Sequence, residues 1–448
     1  MRLSFFFIPQ RHKNHTSADV WIQSKNLKTA TRDMFAVCCM RGVMQRLIKI
    51  ILMSSLALTV AACGGGGSSN TTAPVPGDGG ATGGGTDGGG GDTGPDFTDV
   101  DAEFQNFLDD STVFDGISYV LVDAEGVIHQ AVFGDHTEDT VVLLASTSKV
   151  PAVMTILALD EDPTVAFTID QPVGTMLPYD GVYTDRTITQ MLSNTSGIPG
   201  LQMLGNYGNP LGQTLEDLNH FCSFDSLGIV EFEACGQQLL TNELAMSQPA
   251  GAGFDYGGSQ WQAAGVTASV AANATWNQLV DNYLGTPCDL EVFTFGNPFQ
   301  DINSGGSTFD GTVESLPGQA NPYIGGGAIT NMADYAKLLQ VHLNGGFCGD
   351  TQVLSQAAID SMQIDRGGVT ANNPTPYGMG WWIDAGNPGT FNDPGAFGAI
   401  SFIDIERGIG GYVAIDDYSD AASREPPALV KNTIIPMIQA AIDEYTAN

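Results

Sequence analysis

VVLLASTSKVPAVMTILAL, residues Val141 to Leu159, reads as a short extended approach running into a helix, and Lys149 is its only charged residue. Ser146 and Lys149 stand three residues apart at the helix start, so hydroxyl and amine share one face. The helix N-terminus adds partial positive charge toward a developing oxyanion. A serine needs a base to become nucleophilic, and a lysine whose ammonium is destabilised by burial can supply it. With three lysines after residue 62, an S-x-x-K arises by chance only roughly 0.2 times. The plainer account of the same residues is a helix cap followed by a surface lysine. Pro151 removes one donor near the first turn.

Working outward, GISYVLVDAEGVIHQAVFGD (Gly116 to Asp135) places two Val- and Ile-rich runs around Asp123-Ala124-Glu125-Gly126 and predicts a hairpin. A helical patch around Phe104 to Leu108 precedes it. The middle, from about Glu161 to Gly346, mixes helical patches such as Met332 to Leu343 with long Gly, Pro and Asn loops. Tyr377 to Ile383, Ala399 to Ile405 and Gly411 to Ile415 read as strands, and Ala428 to Tyr445 as a closing helix. Strands at both ends with helices between predict an α+β body whose sheet is assembled from the two termini of the domain.

At 448 residues with 42% hydrophobic content, the chain can bury a sizeable core. Its net charge of -34 is unevenly placed. Beyond residue 62 there are 48 acids against 7 bases, a formal charge of -41. Such a body repels phosphate backbones, so nucleic acid is not an expected partner, and anionic headgroups do not attract it. Residues 44 to 63, MQRLIKIILMSSLALTVAAC, have the build of a secretory signal, with Arg46 and Lys49 ahead of an apolar run. Residues 1 to 43 lack signal-like order, and Met44 is read as the true start. From Gly64 to Gly94, fifteen of thirty-one residues are glycine, so the stretch 64 to 97 is read as a flexible tether. Later cysteines are even in number, Cys222, Cys235, Cys288 and Cys348, with no C-x-x-C. Two disulfides fit an exported protein, and the local pairing Cys222 with Cys235 plus Cys288 with Cys348 is preferred among three connectivities.

Val60-Ala61-Ala62-Cys63 resembles the lipobox of bacterial lipoproteins. The resemblance implies lipidation of Cys63 and an exported, outer-membrane lipoprotein, with the membrane as partner through that anchor. From residue 98 to 448 the chain resembles the serine hydrolases of the class C β-lactamase, D-alanyl-D-alanine carboxypeptidase and β-lactamase-like esterase group. LLASTSK, FTIDQPVGTMLP (Phe167 to Pro178), ITQMLSNTSGIPG (Ile188 to Gly200), PAGAGFDYGGSQWQAAG (Pro249 to Gly265), IGGGAITNMADYAKLLQVHLNGG (Ile324 to Gly346) and YGMGWW (Tyr377 to Trp382) carry the likeness. It implies an α+β, transpeptidase-like fold: an antiparallel sheet flanked by helices, with a largely helical domain inserted.

The same likeness implies Ser146 as acyl-forming nucleophile, Lys149 as its activator and Tyr256 as general base. Gly258 stands where the Y-x-N element has asparagine. Tyr207-Gly208-Asn209 is a literal Y-x-N without the P-x-G-x-x-F-x-Y context. Asp393-Pro394-Gly395 takes the place of K-T-G or H-x-G, which implies an oxyanion hole of the Ser146 and Ala396 N–H groups and puts an acid where a cation would grip a β-lactam carboxylate. The expected substrate is therefore a small ester. β-Lactam or D-amino-acid amide hydrolysis is the alternative, and a ligand-binding protein without turnover is a third reading. G-x-S-x-G, H-E-x-x-H and a phosphate-binding glycine loop are absent, and no cofactor or metal is expected.

Overall fold

The structure is a computed structural model that describes residues 94–200, 220–224, 228–243, 247–302, 307–367, 376–417, 422 and 424–447. Residues 1 to 43, the signal with Cys63, the tether through residue 93 and Tyr207-Gly208-Asn209 lie outside the described residues. Phe97, at the end of the stretch read as tether, is already 3% exposed and packs in the core.

Among the described residues, six helices have ten residues or more: α1 (Thr98–Asp110), α2 (Lys149–Asp160), α3 (Phe232–Thr241), α4 (Ser259–Ala272), α5 (Met332–Leu343) and α6 (Ile435–Ala447). The strands are β1 (Gly116–Val122), β2 (Val127–Gly134), β3 (Val142–Leu143), β4 (Thr294–Phe295), β5 (Ala328–Thr330), β6 (Phe347–Cys348), β7 (Thr351–Gln352), β8 (Trp382–Ile383), β9 (Thr390–Pro394), β10 (Gly398–Asp404) and β11 (Ile409–Asp416). The main sheet runs β2-β1-β11-β10-β9-β8, and its paired strands are antiparallel. The two ends of the described domain thus supply the main sheet, and four of the six long helices come from between its outermost strands, as the order of patterns predicted.

Alternation along the strands explains the layers. In β1, Ile117, Tyr119 and Leu121 join Phe104 of α1 and Ile438 of α6 in one apolar cluster. Val120 and Val122 point the other way, into the larger cluster with Val153 and Ile156 of α2 and Leu338 of α5. The β1–β2 turn closes where it was expected, with the Asp123 carboxylate accepting from the Glu125 and Gly126 N–H groups at 2.9 Å each. The closing helix is subdivided: Glu425–Leu429, a wider turn at Val430–Ile434, then α6. Pro436 lies in the first turn of α6, where its missing N–H would otherwise bond back into that wider turn. Cys222 pairs with Cys235 and Cys288 with Cys348, at Cα separations of 5.4 and 5.0 Å.

Candidate active site

From Val142 to Leu159 every residue is buried except Ser146. A hydroxyl left open in such a run is placed for something other than packing. A single tight turn, Ala145–Ser148, precedes α2, and Ala145 holds a φ of 46°. A left-handed alanine costs of order 1 kcal/mol or more and persists only when its surroundings enforce it. Pro151 is accommodated because it falls in the first turn of α2, where no intrahelical donor is lost.

Each residue of the motif has its own task. Thr147 Oγ1 donates to the carbonyls of Asp393 (2.9 Å) and Ala399 (3.0 Å), locking the turn to β9 and β10. Ser148 Oγ accepts from the Ala328 N–H at 3.0 Å, locking it to β5. Lys149 is 1% exposed. Its Nζ donates to Ser146 Oγ at 3.0 Å and to the Gly325 carbonyl at 2.5 Å. The amine also sits 4.8 Å from the Tyr256 ring centre and 5.4 Å from that of Trp261. Burial lowers the lysine to about 8, with the nearby Asp393 charge working in the opposite direction.

Tyr256 precedes α4 on a turn in which Gly257 and Gly258 both have φ of 75°. Its hydroxyl faces Ser146 and the edge of Trp382, and burial, then the Asp393 charge, hold it far above the ordinary phenol range. A Cβ at Gly258 would lie 2.9 Å from the Pro199 carbonyl and 3.0 Å from Gly200 Cα. An asparagine therefore does not fit there without moving residues 199 and 200. The anchor of this turn is Asn194, 1% exposed. Its Oδ1 accepts from Gly257 N–H (2.8 Å), Trp261 Nε1 (2.8 Å) and Gln260 Nε2 (3.3 Å).

The β9–β10 turn presses against the Ala145–Ser148 turn. A Cβ at Gly395 would meet the Leu144 carbonyl at 2.1 Å and Thr147 Oγ1 at 2.9 Å, so only glycine permits this approach. Gly395 N–H donates to the Ala399 carbonyl at 2.7 Å, and Ala396 is exposed at the tip. Asp393 departs from expectation. Its side chain is 0% exposed, and neither carboxyl oxygen has a hydrogen-bond partner, although the Val150 N–H and Lys149 face it. The carboxylate lies beneath the site, so it does not touch a substrate in the cleft. The wall beside Tyr256 is aromatic: Trp382 and Tyr377 lie 5.0 and 5.9 Å from its ring, and Phe254 lies 5.8 Å from Trp382.

Comparison with protein families finds the beta-lactamase family over residues 100–430. The chain belongs to the beta-lactamase family. Among solved structures it is similar to EstCE1, a hydrolase with promiscuous acyltransferase activity, at 18% identity and a TM-score of 0.58 over 75% of this chain and 97% of that one. A penicillin-binding protein homologue from Caulobacter crescentus gives 18% identity and 0.56 over 74% and 94%. A family VIII carboxylesterase gives 16% and 0.53 over 73% and 96%. At these identities the likeness carries the beta-lactamase fold and no particular reaction. No curated protein matches the chain.

Within this beta-lactamase fold, Ser146, Lys149, Tyr256 and the Asp393–Gly395 turn come together at one place, as the motifs implied. Asn194 and Gly325 were not read as site residues. Their signals, an Asn before Thr-Ser-Gly and a run of three glycines, are visible in sequence, but both act through contacts with residues distant in the chain. The described histidines serve elsewhere: His129 Nε2 is 2.9 Å from Asp101, His136 Nδ1 is 3.2 Å from Ser118 Oγ, and His342 is buried against Trp381.

Proposed function

We propose that this member of the beta-lactamase family is an exported serine hydrolase that cleaves neutral carboxylic esters through an acyl-Ser146 intermediate. One observation carries the reading: the only open residue between Val142 and Leu159 is a serine whose Oγ is 3.0 Å from a buried lysine amine. In the forward step, Ser146 Oγ bonds to the acyl carbon while its proton passes to Lys149 Nζ. The displaced electron pair resides on the carbonyl oxygen, facing the Ser146 and Ala396 N–H groups. Collapse expels the alkoxide, which takes a proton relayed from Lys149 through the Tyr256 hydroxyl, and water then hydrolyses the acyl-serine. Lys149 is the better proton acceptor of the two, because its affinity at about 8 lies near neutrality while Tyr256 stays a neutral phenol.

Neutral esters are favoured over anionic β-lactams because four of the described cations are engaged elsewhere. Arg186 pairs with Asp185, Lys337 with the Asp289 carbonyl, Arg366 with the Ser361 carbonyl, and Arg407 with Asp404 and Asp443. Export and anchoring rest on residues 44 to 63, with Cys63 as the lipidated residue. Among the described residues no helix is long and apolar enough to cross a membrane. The testing experiment treats the protein with a fluorophosphonate probe and follows hydrolysis of p-nitrophenyl acetate beside nitrocefin. The expected result is label on Ser146, ester turnover and weak nitrocefin turnover. Ester turnover surviving in Ser146→Ala overturns the assignment of the nucleophile, and unlabelled, inactive but folded protein favours a ligand-binding role.

A further inference from the structure

We propose that Asp393 is a positioning residue for the reaction, a buried carboxylate that acts on Ser146 only through Lys149. The inference rests on the reading of Ser146 and Lys149 as nucleophile and base. Its geometry begins with the backbone. Asp393 pairs with Ser401 across β9 and β10, and its carbonyl accepts the Thr147 hydroxyl. The strand position is therefore keyed to the residue next to the nucleophile.

The side chain is sealed beneath the start of α2, with the Val150 N–H facing it. It is 0% exposed, and both oxygens lack hydrogen bonds. Burial pushes its carboxyl well above the usual carboxylate range and the Lys149 charge draws it back down, because a carboxylate sealed in this way is costly unless an opposite charge compensates it. The titratable groups that face it are Lys149 at the start of α2, Tyr256 ahead of α4, Tyr335 in α5 and Tyr377 ahead of β8. Three are phenols, which gain nothing by ionising beside a negative charge. Tyr335 already spends its hydroxyl on the Thr147 carbonyl (3.1 Å) and Ser401 Oγ (3.0 Å). Lys149 alone can carry the compensating charge.

The consequence for chemistry follows from the two opposing influences on that amine. Burial drives Lys149 toward the neutral form, and the Asp393 charge draws it back toward the protonated one. Together they keep a buried amine near the pH at which it works, neither permanently protonated nor too weak a base to accept the serine proton. Without the carboxylate only burial remains, and the amine becomes a weaker base.

Asp393→Asn tests this, because the amide keeps the shape and removes the charge. The pH profile of kcat/KM for p-nitrophenyl acetate, a neutral substrate, and the pH profile of fluorophosphonate labelling are measured for both proteins. The acid limb is expected to move to lower pH by about one unit, with a lower plateau. A limb that stays at the wild-type position, whatever happens to the plateau, overturns the proposal and leaves Asp393 a structural residue. Should Asp393→Asn fail to fold, the wild-type protein serves: ¹⁵N-lysine signals, few in so lysine-poor a chain, and the infrared band of a protonated carboxyl are followed against pH. Ionised Asp393 where Lys149 titrates is expected, and a protonated carboxyl throughout that range overturns the proposal. Failure of the wild type to label Ser146 would instead defeat the underlying functional reading.

Discussion

Replacing Asn194 by alanine removes the acceptor that holds the Tyr256 turn, and the cost can be worked from its contacts. Gly257 N–H and Trp261 Nε1 lose their acceptor, at 2.8 Å each. Gln260 Nε2 keeps the Asp255 and Gly257 carbonyls at 2.7 and 2.8 Å, so it contributes little. Two buried donors left unsatisfied cost roughly 1 to 3 kcal/mol each. The backbone adds to this, because Asn194 has a φ of 60° that alanine adopts only at a further cost of about 1 kcal/mol. A loss of about 3 to 7 kcal/mol is expected, read from urea unfolding followed by tryptophan fluorescence. Asn194→Gly separates the contributions, since it removes the acceptor without backbone strain and should recover about 1 kcal/mol of the loss. In the folded variant, Tyr256 is no longer held toward Ser146, so kcat for a p-nitrophenyl ester should fall by about 10- to 100-fold with a smaller change in KM. An Asn194→Ala protein within about 1 kcal/mol of wild type would refute the anchoring argument.

Lys149→Met should lower kcat/KM by about three orders of magnitude or more, because serine and base act as a unit, while the urea midpoint holds; a sharply destabilised variant would mark the lysine as structural. His342 is buried with neither ring nitrogen hydrogen-bonded, and burial lowers it to about 4. A base lowered in this way contributes stability above its unfolded value, lost as pH falls from about 6.5 toward 4, so acidification from pH 7 to pH 5 should cost about 2 kcal/mol at this residue. His342→Phe should remove that part of the acid sensitivity, seen as urea midpoints closer together at the two pH values. Cys288 and Cys348 close a loop with a sequence separation of 60, and their joint replacement by serine should cost about 4 kcal/mol; a change below about 1 kcal/mol would show that the pair does not form in the purified protein.

Local patterns were legible and tertiary ones were not. Met332 to Leu343 stands in the structure with the bounds that its helical periodicity predicted, and an Asn331 N-cap accepts from Asp334 N–H at 2.9 Å. Gly116 to Asp135 folds as the hairpin that its turn residues specify. By contrast β9, Thr-Phe-Asn-Asp-Pro, carries three residue types that strands avoid. It is a strand because β8 and β10 pair on either side of it and Thr147 bonds its Asp393 carbonyl. The site divides in the same way. Ser146 and Lys149 are three residues apart and can be read together, whereas Asn194 serves a turn more than sixty residues away. Asp393 was legible as a position, but its depth was not, because a strand end alone does not say which face is sealed.

Charge placement gives the fold its chemical direction. With 48 acids against 7 bases after residue 62, an approaching anion meets a repulsive surface potential before it meets the cleft. Inside, the cation next to Ser146 is Lys149, already hydrogen-bonded to Ser146 and the Gly325 carbonyl and 1% exposed. It can exchange a proton with the Ser146 hydroxyl but cannot reach out to a substrate carboxylate. Asp393 is turned inward and 0% exposed, on the protein side of that amine and not in the cleft. On the proposed reading, binding selectivity falls to the surface potential and the aromatic wall of Phe254, Tyr256 and Trp382, both of which would admit an uncharged ester more readily than a carboxylate-bearing β-lactam. Reactivity falls to the buried pair. Because the two roles rest on different residues, exchanging the wall should change which ester is preferred while the pH at which Ser146 becomes reactive stays with Lys149 and Asp393.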